Sequence, residues 1–170
     1  MPHLSRLLAA ICAIAVVLVS LPTSAGIGDK DLPLLNGQKT KLLYTVSGVT
    51  DTGVLATVFH CTSTERDGGK TIELGIEVFD LFGNRANDVT AGEGVTFMSP
   101  GHTRTLSTQA TVAFGNETDI NTGTVAQGSA RIIATSKNVL CSAMLVDAVN
   151  NAPTSMVMLP VFRATKQKGM

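Results

Sequence analysis

The chain has 170 residues, 13 basic and 13 acidic side chains, and no tryptophan. That length allows one domain with its own core after removal of a leader. Zero net charge excludes the overall field that draws a domain to nucleic acid or an anionic membrane, and a 4% aromatic content removes the usual platforms for stacking bases or sugars.

Met1 to Arg6 is short and carries one arginine, and Leu7 to Val19 is unbroken and apolar. Pro22 and the small residues Thr23, Ser24 and Ala25 follow. Charged start, apolar centre and small-residue exit form the secretory signal pattern, with cleavage expected after Ala25. Cys12 has Ile11 before it, where a lipid-attachment motif needs a small residue, so it reads as an ordinary leader residue. No second long apolar run occurs, so the mature chain, 26–170, is expected to be one domain without a transmembrane span.

The mature part shows strand period and little helical period. Residues 26–38 read as an irregular lead-in. Lys41 to Val49 and Gly53 to Ser63 are rich in threonine and valine and end in turn residues. Thr71 to Leu81 alternates most cleanly: Ile72, Leu74, Ile76 and Val78 share one face, and Glu73 and Glu77 share the other. Gly83-Asn84 breaks it. Gly94 to Ser99 leads into the Pro100-Gly101 turn, and Thr103 to Phe114 alternates again. Gly115 to Gly123 is a polar loop. Gly128 to Ser136 and Asn138 to Val149 read as strands joined by a tight hairpin at Lys137-Asn138. Ser155 to Arg163 closes the fold, with Pro160 marking an edge or a bulge. About seven or eight short strands between turn clusters predict an all-β antiparallel sandwich.

Two cysteines remain after the leader, Cys61 and Cys141. In an oxidising compartment an even pair reads first as a disulfide. A metal site would need more ligands; there is no CxxC, HxxxH or HxH, and His60 and Cys61 point to opposite faces of a strand. A thiol nucleophile would need a base, for which His102 is the candidate, without a supporting local motif. Hydrolase, zinc-protease, dinucleotide and phosphate-loop motifs are absent. Glu73 and Glu77 could pair as glycosidase carboxylates, but read more simply as a solvated outer face. Asp119, Asn121 and Gly123 form part of a calcium-loop pattern without its closing glutamate. No cofactor is expected.

Ile76 to Arg85 followed by Met98 to Ser107 resembles secreted bacterial immunoglobulin-like or fibronectin-III-like modules. Phe59 to Thr62 and Gly128 to Asp147 resemble small uncharacterised exported bacterial proteins. The likeness implies an immunoglobulin-like sandwich that offers loops and edges to a partner. The expectation is a non-enzymatic, exported interaction or structural module, periplasmic or extracellular. Its contact elements would be the Asp67–Lys70 turn, the Phe82–Asn87 loop, the Gly115–Gly123 loop or the Ser155–Arg163 edge, meeting a protein or envelope partner and no nucleic acid. The alternatives are a small exported enzyme or metal-binding protein using His102 with Cys61 or Glu77, and a subunit of an extracellular polymer.

Overall fold

The computed structural model describes residues 27, 30–150 and 154–164; the expected leader lies outside the described residues. The chain is all-β, with ten strands among the described residues: β1 Lys41–Asp51, β2 Leu55–Ser63, β3 Ile72–Asp80, β4 Val95–Met98, β5 Thr103–Ser107, β6 Glu117–Asp119, β7 Val125–Ala134, β8 Val139–Asp147, β9 Met156–Met158 and β10 Val161–Arg163. Among the described residues no helix is long and apolar enough to cross a membrane.

Pairing gives two layers. One layer runs β4-β3-β7-β1-β10 and the other β6-β5-β2-β8-β9. They connect through the pair Asp51↔Ala56, where β1 hands over to β2. All pairings are antiparallel except β5 with β6. The sandwich core lies between the layers. Leu74, Ile76, Val78, Ile132 and Val46 of the first layer meet Phe59, Leu106 and Ala143 of the second. These side chains recur at every second position because strand side chains alternate faces.

Three expectations about the strands need correction. The turn at Lys137-Asn138 is not a tight hairpin: β7 belongs to the first layer and β8 to the second, so the turn crosses between sheets. The strand expected over Thr103 to Phe114 stops at Ser107. The chain then crosses the outer face of the second layer, where Phe114 packs on Ala56, Val58, Met144 and Val146. Finally, the strand count is ten. Pro160 splits the closing strand into β9 and β10, because proline cannot donate to a ladder. β6 is a further short strand inside the polar loop.

The outer face of the first layer is also covered. Glu73 and Glu77, expected in solvent, are 6% and 0% exposed. The lead-in lies over them as a strap. Leu35 is buried against Gly75, where a side-chain Cβ would come within 3.3 Å of both Leu35 methyl carbons. A tight reversal follows, with Leu35 and Gln38 exchanging backbone hydrogen bonds of 3.1 and 2.8 Å. Asn36 and Gly37 both take positive φ there, as a primed turn requires.

Arg131 anchors the strap. It is fully buried, and its Nε donates to Glu77. Its Nη1 donates to the carbonyls of Ile27 at 3.1 Å and Lys30 at 2.7 Å, and its Nη2 to that of Asp31 at 2.7 Å. Arg85 completes the cluster, with Nε 3.1 Å from the other Glu77 oxygen. A buried guanidinium is tolerated because each edge of its fork finds an acceptor.

Cys61 and Cys141 form a disulfide and stand directly opposite each other in the β2–β8 ladder, with Cα atoms 4.2 Å apart. This is the close spacing of a non-hydrogen-bonded antiparallel pair. The bridge therefore staples neighbours within one layer, whereas the immunoglobulin bridge joins two layers.

Candidate functional site

The strands run between two ends of the sandwich, and the ends differ in chemistry. β1, β3, β5, β6 and β8 finish at what we term the lower end; β2, β4, β7 and β10 finish at the upper end.

Four strands that finish at the lower end do so on an aspartate: Asp51, Asp80, Asp119 and Asp147. The carboxylates of Asp80, Asp119 and Asp147 turn the chain by accepting hydrogen bonds from the loop that follows, as aspartate does in turns. Asp80 Oδ1 accepts from the amides of Phe82 at 2.9 Å and Asn84 at 2.8 Å. Asp119 Oδ1 accepts from the Asn121 amide at 2.8 Å. Asp147 accepts from the Val149 amide at 3.1 Å, Asn150 Nδ2 at 2.6 Å and Thr154 Oγ1 at 2.8 Å. Asp51, nearly buried, accepts from Thr122 Oγ1 at 2.9 Å.

These bonds favour the charged form. The Asn84 amide and side chain hold the Asp80 carboxyl below the ordinary aspartate range. Thr90 does the same for nearby Asp88. Asn150 and Thr154 hold Asp147 down to about 2. The lower end thus stays anionic into mildly acidic solution.

Beyond these aspartates the loops carry apolar tips. Val54, Leu81, Val112 and Val149 are each more than half exposed, and Phe82 is 80% exposed. Backbone bonds hold three of the loops together: Ala148 N donates to Val54 O at 2.8 Å, and Val112 N to Ala148 O at 3.2 Å. Between the loops lies a polar recess of about 320 Å³, walled by Asp51, Gln109, Asp119, Asn121 and Thr122 among others. The end therefore combines hydrogen-bonded loops, negative charge and several exposed apolar side chains.

The upper end is the opposite. Lys41, Arg66, Lys70, Arg104, Lys137 and Arg163 project there, all exposed. Among the described residues the salt bridges are Arg85 and Arg131 with Glu77, so these upper cations have no ion-pair partner. Lys137 and Arg163 flank a recess of about 140 Å³ beside Tyr44 and Leu43. Glu65 and Asp67 are the opposing charges in the β2–β3 turn, and Glu65 is occupied by Ser136 at 2.6 Å.

The structure scatters the residues singled out for chemistry. Cys61 faces the core with its sulfur in the disulfide. His60 points the other way, as strand alternation requires. Its Nδ1 lies 3.0 Å from Thr105 Oγ1 and its ring meets Phe114 edge-on at 5.0 Å. Burial lowers its pKa, with Glu117 partly opposing. His102 is exposed in the upper β4–β5 turn. Glu77 lies under the strap, on the outer face of the other layer. His102 is thus joined with neither Cys61 nor Glu77. Among the described residues no group of three or more His, Cys, Asp or Glu is placed to hold a metal ion.

Of the expected contact elements, the Asp67–Lys70 turn lies at the upper end and the Phe82–Asn87 loop begins at the lower end. Residues 120–123 share that lower end, and β9 and β10 lie on the sides. Val54, Leu81, Val112 and Val149 escaped sequence reading. Their signal is local: an apolar residue one to three places after a strand-ending aspartate, inside a turn where apolar residues serve no core. Val112 lacks even that, since β5 ends in Ser107.

No protein-family model matches the chain, no curated protein is similar to it, and no solved structure matches it.

Proposed function

We propose that the chain is a non-enzymatic, exported interaction module that works by contact through its lower end, in the envelope or outside the cell. The observation that carries this reading is that the loops of one end carry exposed Val54, Leu81, Phe82, Val112 and Val149, with the loops of Val54, Val112 and Val149 bonded to one another. Single exposed apolar residues are ordinary, but a cluster at one place marks a contact surface. The carboxylates and hydroxyls around it are spent on shaping loops, which suits recognition better than proton transfer. The disulfide supports an oxidising destination. The resemblance to secreted immunoglobulin-like modules, which use loops at a sandwich end, points the same way.

The test is site-specific photo-cross-linking in the exporting cell. A photoreactive residue at Phe82 should give a discrete adduct, and one at Ser142, on the side of the second layer, should give none. Absence of any adduct at Phe82, together with stoichiometric metal or a reactive thiol in the purified protein, would overturn the reading.

A further inference from the structure

The charges of this chain sum to zero, yet the fold sorts them. Asp80, Asp119 and Asp147 lie at the lower end with Asp88 and Glu93 near it, whereas Lys41, Arg66, Lys70, Lys137 and Arg163 lie at the upper end. Lys30 and Arg85 are the cations near the lower end, and both are engaged. Lys30 Nζ donates to the Gly83 carbonyl, and Arg85 pairs with Glu77. Neither end neutralises itself: the acids are held by loop amides and hydroxyls, and the upper cations have no ion-pair partner among the described residues.

We infer that the partner of the lower end is the upper end of a second copy of this chain, so that molecules associate head to tail. The inference rests on the contact reading above and names its partner. Three observations favour it over other occupants. First, the acidic lower end repels an anionic bilayer, so its tips are poorly suited to the commonest charged lipid surfaces. Second, the chain itself supplies the complement, a cationic end with a recess between Lys137 and Arg163 that is opposite in sign to the acidic lower end. Third, the two surfaces lie at opposite ends, so each molecule can use both at once. Such a contact is heterologous and does not close by itself; it generates a line of subunits.

The test is sedimentation velocity over a range of protein concentrations, at low and high salt. Two double variants are compared with the native chain: V54S with F82S at the lower end, and K70E with K137E at the upper end. All four positions are exposed, and unchanged melting temperatures will show that the fold survives. The native chain should grow beyond a dimer with concentration, and salt should weaken the growth. Each variant alone should stay monomeric, with association weakened more than about tenfold. Mixed in equal amounts, the two variants should form a one-to-one dimer and stop, since one dead end remains on each side.

A native chain that stays monomeric at every concentration overturns the inference. So does a closed dimer that only the lower-end variant abolishes, which would mean tip against tip, or tip-dependent binding to neutral vesicles. The cross-linking test separates the two readings. A Phe82 adduct of twice the chain mass supports self-association. An adduct of any other mass keeps the contact reading and removes the second copy.

Discussion

The two layers of the sandwich both hide their outer faces, and they do so with opposite chemistry. The first layer is covered by a strap that a buried arginine holds by its backbone carbonyls. The second is covered by a loop that lays Phe114 on an apolar patch, with a disulfide stapling the ladder beneath. An apolar cover tolerates imperfect geometry and loses stability gradually when trimmed. A charged clamp is unforgiving, because removing one partner strands a charge in a dry site. The difference teaches where the molecule should break.

The largest loss should come from the staple. The cysteines are 80 residues apart, and the chain-entropy model assigns such a loop roughly 4 to 5 kcal/mol. Replacing both with alanine should lower the free energy of urea unfolding by that order. A loss below about 1 kcal/mol would mean that the ladder, not the bridge, holds the second layer.

Arg131→Ala comes next, at about 3 to 5 kcal/mol, because Glu77 would remain buried with only the half-exposed Arg85 as its partner. The sharper comparison is the double change Arg131→Met with Glu77→Gln. It should recover part of that loss, since the stranded charge disappears. If the double variant is no more stable than Arg131→Ala, the clamp is not acting through charge.

Leu35→Ala should cost about 2 to 3 kcal/mol by leaving a cavity over Gly75. It should also speed amide exchange in residues 30–38, with the β2–β8 ladder unaffected. Phe114→Ala should cost less, about 1 to 2 kcal/mol, because the ring is only partly buried. Equal losses for these two variants would erase the contrast between the covers.

The smallest effect is on pH. The folded-state pKa of Asp147 is held down to about 2 by Asn150 and Thr154. A depressed acid contributes stability that is present above its unfolded pKa, about 3.9, and is lost as pH falls through about 2. Asp147→Asn should lower the melting temperature at neutral pH, flatten its profile between pH 4 and 2, and converge with the native chain near pH 2. A profile identical to that of the native chain would show that this loop contributes nothing to folding.

Much of the core was legible in the residues. The alternation of Ile72, Leu74, Ile76 and Val78 places the right side chains inward, because strand period is a local property. The parity of cysteines in an exported chain suggested their pairing, although not that they sit side by side in one ladder. The opposite face of β3 misled. Glu73 and Glu77 look solvated until Leu35 and Arg131 are brought over them from about 40 and 54 residues away. No pattern in a short window carries that contact. The zero net charge misled in the same way, because it sums over space what strand direction separates. Of the strand-ending aspartates, Asp51 and Asp119 fall in segments that read as a turn and a loop, whereas Asp80 and Asp147 fall inside segments that read as strands; that all four face one end depends on which strands run down, and that is set by the whole topology.

That topology has a kinetic consequence. β1 finds its longest partner in β7, β2 lies between β5 and β8, and the last strand, β10, returns to the first. Most neighbours in space are thus distant along the chain, and such proteins gain their contacts only after large loops have closed, typically in milliseconds to seconds. The molecule cannot latch until its C-terminal residues have arrived, because Leu159 bonds Ala143 in one layer and Ala164 bonds Leu43 in the other. Until those residues are in place each layer lacks one of its closing backbone bonds.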